Sequence, residues 1–297
     1  LLVLIHGILG SKRNWRTVMK SFSVKDPELA VLAVDLRGHG DSGLNYSLQA
    51  AGTGIGSGAT TGSGSVHPSF HIHTVENCAY DIIHLLSQLD IPTTTDIRLC
   101  AHSFGGKVAL RYLEICQGYR SNSATIMSGA LKQPSPVSMD YDVALTPSIR
   151  TMLQPSHVWI VDSIPAPHSH NLHSYDKNNM DSGSNTTSNP TSNPSAYSTV
   201  DTVIHALLSL PAVFPSKQYV LDELTSPPHN ISMAIAQWIA TSIVDAEVEA
   251  GSSAKPSCRF MFDIRHIVEL YIDYCKTDMF PFLHDYSTDA YHNGIGG

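Results

Sequence analysis

The segment Ala101-His102-Ser103-Phe104-Gly105-Gly106-Lys107 constrains this chain more than any other. It joins an apolar run, Ile97-Arg98-Leu99-Cys100, to a helical pattern that begins at Val108-Ala109-Leu110. A chain passes from strand to helix in so few residues only through a sharp turn, and a sharp turn admits only small neighbours. Gly105 meets that demand, and Ala101 meets it at the cost of one methyl. Ser103 stands at the apex. Its hydroxyl is exposed there, and the first amides of the following helix face an anion.

Three further apolar runs, Leu1–Ile5, Val31–Val34 and Val158–Val161, have the short β-branched character of buried parallel strands. Helical patterns lie between them. Val75 to Leu89 sets Cys78, Ile82, Leu85, Leu86 and Leu89 on one face, and Lys107 to Cys116 forms another amphipathic run. The alternation predicts an α/β fold, a doubly wound, mainly parallel sheet. Residues 1–167 read as the core, with a flexible Gly/Ser/Thr insertion at 48–69 and an expansion at 117–156. Residues 168–200, rich in Ser, Asn and Pro, read as a disordered insertion. Residues 201–285 read as a helical lid and 286–297 as a frayed end. Both ends look cut.

Composition removes several functions. The net charge is −8 and no basic run occurs, which argues against a nucleic-acid surface. No apolar stretch approaches the ~20 residues of a membrane span. The five cysteines are scattered without metal-type spacing, as expected of reduced thiols in an intracellular compartment, with Cys100 a small apolar group in its strand.

Acyl transfer needs a nucleophile, a base, a group that orients the base, and donors for the developing oxyanion. Ser103 is the nucleophile of this reading, and the Phe104 amide is one donor. His6-Gly7-Ile8-Leu9-Gly10, at the end of the first strand, supplies the second from Ile8 or from Leu9. Arg37-Gly38-His39-Gly40-Asp41-Ser42 reads as a tight structural loop, with Asp41 capping the turn and His39 packing locally.

These segments together resemble the α/β-hydrolase fold superfamily. The stretch Gly10-Ser11-Lys12-Arg13-Asn14-Trp15 and the lysine after the elbow glycines resemble the mitochondrial abhydrolase-domain-eleven group and related small bacterial esterases. The resemblance covers about 1–47, 70–116, 157–167 and 258–284. It implies a serine hydrolase acting on small-molecule esters or thioesters without a cofactor, and a mitochondrial or cytoplasmic address. It also implies the acid. Asp162, in Val161-Asp162-Ser163-Ile164-Pro165, resembles the Asp-x-x-Pro of the bacterial esterases and ends a strand; Asp263 resembles a lid aspartate of the mitochondrial group and is the alternative. The base of this fold is a histidine that follows glycine after the last strand, and none matches. His168, His170, His173, His284 and His292 read as solvated, and His102 as turned away from the hydroxyl, so the catalytic histidine is expected beyond residue 297. Two other functions stay open, a partner-binding protein without catalysis and an acyltransferase.

Overall fold

Four short apolar segments build the central sheet: β1 (Leu2–Ile5), β2 (Val31–Val34), β3 (Arg98–His102) and β4 (His157–Val161). All pairs are parallel, in the order β2-β1-β3-β4. The computed structural model describes residues 1–43, 73–118, 146–169, 172, 199–246 and 257–292. The 48–69 insertion lies outside the described residues, as do most of the 117–156 expansion and of the 168–200 insertion.

Parallel strands need crossovers. Here they run through a 3₁₀ turn (Lys12–Trp15) into α1 (Arg16–Lys25), then α2 (Val75–Gln88), α3 (Phe104–Cys116) and α4 (Pro147–Leu153). Local chemistry sets where these helices begin. Thr74 caps α2 by accepting from Asn77 N–H, and Thr146 caps α4 ahead of Pro147 at its first turn. The core lies between sheet and helices, where Val3, Ile5 and Leu99 meet Ile82, Ile83, Leu86 and Val108. On α2 the buried face is Cys78, Ala79, Ile82, Ile83 and Leu86, whereas the predicted Leu85 and Leu89 are about 40% exposed. The buried stripe is centred one residue away from the row assigned by sequence. β4 also departs from a buried strand. Trp159, Ile160 and Val161 are exposed, and no strand pairs with its outer edge among the described residues.

Residues 199–292 contain α5 (Thr199–Leu208), α6 (Lys217–Thr225), α7 (Met233–Ala240), α8 (Ile264–Lys276) and α9 (Phe280–His292). The end expected to fray is helical through His292. Residues 201–285, expected to be a helical lid, are also not purely helical. β5 (Val213–Phe214), β6 (Ile243–Asp245) and β7 (Cys258–Phe260) form an antiparallel sheet in the order β5-β7-β6. Strands of two or three residues carry too little alternation to be distinguished from helix tails.

Lys107 ties α3 to two distant segments of the chain. Its side chain is fully buried, and its Nζ donates to the carbonyls of Ala166 (2.8 Å), Tyr274 (2.6 Å) and Thr277 (2.7 Å). The ammonium also lies 4.4 Å from the centre of the Tyr274 ring. Burial brings its pKa down to about 8. One cation thus ties α3 to the C-terminal end of α8, where the helix dipole is negative.

Candidate active site

β3 ends at His102 and α3 begins at Phe104, so the whole turn is Ser103. Its backbone, at φ 52 and ψ −120, is costly for a residue with a Cβ, of order 1–3 kcal/mol. Neighbouring bonds hold it there. Ser103 N–H donates to Val161 O and Gly106 N–H to Ser103 O, both at 2.8 Å. Gly105 is required by contact, because a Cβ there would sit 2.6 Å from His6 O and 2.9 Å from Ile5 O. Ser103 occupies the N-cap position of α3, yet its side chain makes no capping bond. Its hydroxyl is therefore free of the role a serine usually plays at a helix start. The Phe104 ring is buried near Tyr274, away from the cavity lining.

The first loop is shaped by two buried histidines. Leu36 N–H donates to His6 Nε2 (3.0 Å), so His6 Nδ1 carries the proton and donates to Gly7 O (2.8 Å). Leu9 N–H donates to His39 Nε2 (3.1 Å), and His39 Nδ1 donates to Arg37 O (3.0 Å) by the same logic. Burial lowers the His6 pKa to about 4 and holds His39 well below the usual histidine range. Both rings are neutral at physiological pH, meeting edge to face with centroids 4.9 Å apart. His39 is thus more than local packing. The turn is capped by Asp35 rather than by Asp41. Asp35 accepts from Lys12 N–H (2.7 Å) and Asp41 N–H (3.1 Å), while Asp41 pairs with Lys12 Nζ at 2.6 Å. Asp41 sits at the mouth of the loop, where its amide rather than its carboxylate joins the cap.

Asp162 follows β4 at φ 53, one residue beyond the strand position that pairs with His102. Four non-glycine residues have positive φ among the described residues, and three of them, Leu9, Ser103 and Asp162, border one cavity. Backbone strain concentrates where surrounding structure pays to hold a functional geometry. The cavity measures about 530 Å³ and opens at the carboxyl ends of the strands, where ligands bind in open α/β sheets. Its other walls include Ile8, Trp15, Val200, Val203, Ile235 and Trp238, and among the described residues no lysine or arginine lines it.

Asp263 lies elsewhere. It caps α8 by accepting from Arg265 N–H (2.9 Å) and pairs with the Arg265 guanidinium (2.7 Å). Burial pushes its carboxyl up, but the Arg265 bonds hold it below the usual carboxylate range. It lines a separate cavity of about 550 Å³ with Leu207, Phe260 and Arg265. Among the described histidines only His6 and His102 line the cavity of Ser103. Both nitrogens of His6 are engaged, and His102 makes no hydrogen bond to Ser103. His168 is half-buried against Cys275, with Nε2 to Sγ at 3.3 Å, rather than solvated, because α8 covers it. His284 is exposed, and His170 and His173 lie outside the described residues. The walls that α5 and α7 give the cavity were not legible in sequence, since Val200, Val203, Ile235 and Trp238 belong to no motif.

The family described as "Alpha/beta hydrolase family" matches residues 2–244. An sn-1-specific diacylglycerol lipase, ABHD11 of Danio rerio, is 29% identical over 159 residues, covering 54% of this chain and 36% of the lipase. The abhydrolase domain-containing protein C22H12.03 of Schizosaccharomyces pombe is 48% identical over 52 residues, 16% of this chain and 19% of that protein. The chain thus spans well under two thirds of either relative. Among solved structures, the peroxisomal alpha-beta-hydrolase Lpx1 of Saccharomyces cerevisiae aligns with 95% of this chain and 57% of its own, at 15% identity and a TM-score of 0.44. An E-2-(acetamidomethylene)succinate hydrolase covers 95% of this chain and 67% of its own, at 14% identity and 0.41. The matched span 2–244 holds the parallel sheet, the elbow and every wall of the Ser103 cavity, and the chain belongs to the alpha/beta hydrolase family.

Proposed function

We propose that the protein hydrolyses carboxylic esters or thioesters carrying an apolar acyl group, through an acyl-enzyme on Ser103. The observation that carries this reading is the uncapped Ser103 hydroxyl, held at φ 52 in an apolar cavity shared with the Ile8 loop and Asp162. Ser103 Oγ attacks the acyl carbon and passes its proton to a base. The carbonyl oxygen becomes an oxyanion and accepts from the Phe104 and Ile8 amides. Collapse expels the alcohol or thiol, which takes the proton, and water then releases the acid. Asp162 orients the base, a histidine contributed from outside the described residues. Among the described residues no lysine or arginine lines the cavity, which favours neutral substrates, in keeping with the name of the Danio rerio relative, a diacylglycerol lipase. The resemblance to the mitochondrial group carries a mitochondrial address with it.

The test applies a fluorophosphonate probe and short aliphatic p-nitrophenyl esters to the full-length protein. Wild type should be labelled and active, Ser103→Ala neither, and Asp162→Asn should lose orders of magnitude in kcat while Asp263→Asn stays near wild type. Equal labelling of wild type and Ser103→Ala rules the reading out. A full-length protein that is never labelled favours a partner-binding role. Faster loss of ester with an added alcohol, and transfer of the acyl group to it, favours an acyltransferase.

A further inference from the structure

Gly10 N–H donates to Gly7 O at 3.0 Å, which closes a four-residue turn over Gly7-Ile8-Leu9-Gly10. Leu9, its third residue, has φ 60, while Ile8 is not among the residues of positive φ. That is the pattern of a type II turn, whose third position normally takes glycine or asparagine. A leucine there is out of place. With the same closing bond, a type I turn would suit it better, and the two forms interconvert by flipping the peptide between Ile8 and Leu9. The direction of the Leu9 N–H is therefore what separates the two states.

That N–H is the one taken by His39. The bond is 3.1 Å long and buried, and the ring is fixed from behind by Nδ1 donating to Arg37 O at 3.0 Å. A flip would strand a buried acceptor and a buried donor together, which is costly because neither reaches water. His6 holds the end of the neighbouring strand in the same way, through Leu36 N–H and Gly7 O.

We propose that His39 is a positioning residue for the oxyanion hole: by accepting the Leu9 amide it locks the type II turn and leaves Ile8 as the loop amide that serves the substrate oxyanion. This rests on the hydrolase reading above. It also decides between the two amides that sequence left open, because the Leu9 N–H is already spent on His39. His39 touches no reacting atom and acts only through the Ile8–Leu9 peptide.

The experiment is a double-mutant cycle in the full-length protein, read as kcat and KM on a p-nitrophenyl ester. His39→Phe keeps the ring volume and removes the acceptor. We expect kcat to fall about 10–100-fold with KM within about threefold, somewhat less than the ~10²–10³ lost when an oxyanion donor is deleted outright. His39→Gln, which offers an acceptor oxygen, should recover most of that loss. Leu9→Gly makes the third turn position comfortable, so His39→Phe in that background should cost under about threefold. A purely structural role for His39 gives the same loss in both backgrounds, and that result, or an unchanged kcat in folded His39→Phe, overturns the proposal. If His39→Phe does not fold, His39→Met runs the same cycle with the same expectations. Ser103→Ala runs in parallel. Retained turnover in that variant defeats the hydrolase reading itself, whereas its loss together with an uncoupled cycle defeats only the role of His39.

Discussion

Replacing Lys107 by methionine tests whether the elbow helix is held by one buried cation. The substitution keeps an unbranched side chain and removes the ammonium, leaving the carbonyls of Ala166, Tyr274 and Thr277 without their donor. At about 1–3 kcal/mol for each stranded acceptor the loss is roughly 3–9 kcal/mol. Relief of the buried charge offsets part of it. The pKa of Lys107 falls from 10.5 to about 8, which corresponds to about 3.4 kcal/mol. The net destabilisation at neutral pH is then centred near 2–3 kcal/mol. The sign of its pH dependence is distinctive. Folding lowers this pKa, so between about 8 and 10.5 the unfolded chain binds more protons and wild-type stability rises with pH. By about pH 9.5 that gain is about 2 kcal/mol, and Lys107→Met lacks it. Urea unfolding of both proteins at neutral pH and at about pH 9.5 reads the difference directly, since other alkaline titrations are common to the two. The stability gap should widen by about 2 kcal/mol. A gap that stays constant or narrows refutes the account of Lys107.

Two further perturbations probe the neighbouring geometry. Gly105→Ala drives a methyl to 2.6 Å from His6 O, against backbone that cannot give way cheaply. It should cost about 1–3 kcal/mol by thermal melting and, because a shift of about 1 Å at the nucleophile is enough, about 10²-fold in kcat. Acid should destabilise the fold through its neutral histidines. The pKa of His6 is lowered from 6.5 to about 4 by burial, so the unfolded chain binds more protons across that window and stability falls as pH falls through it. At about pH 5 the His6 contribution alone is about 2 kcal/mol, and His6→Gln should flatten the urea midpoint between neutral pH and that value.

What the sequence made legible is what local chemistry dictates. The four parallel strands are apolar runs, and the elbow is readable because a one-residue turn between strand and helix excludes side chains at Gly105 and strains Ser103. Asp162 was readable as a strand end. Illegible were contacts assembled from distant segments. His39 lies thirty positions from the amide it holds, and Lys107 reaches carbonyls more than 160 positions away in α8. The three-stranded antiparallel sheet is too short for periodicity to mark it, and the apolar walls from α5 and α7 use residues that any helix buries. Asp263 was a credible acid because motif likeness does not say where a helix start will point; the fold turns it toward Arg265 and a different cavity.

The proposed reaction passes through a covalent acyl-enzyme on Ser103. Intact mass measured within the first turnovers of a slowly deacylating p-nitrophenyl ester tests it most directly, followed by peptide mapping. A mass increase equal to one acyl group is expected, confined to the peptide that contains Ser103 and absent from Ser103→Ala. Ester turnover with no adduct at Ser103, or an adduct that persists in Ser103→Ala, would contradict it.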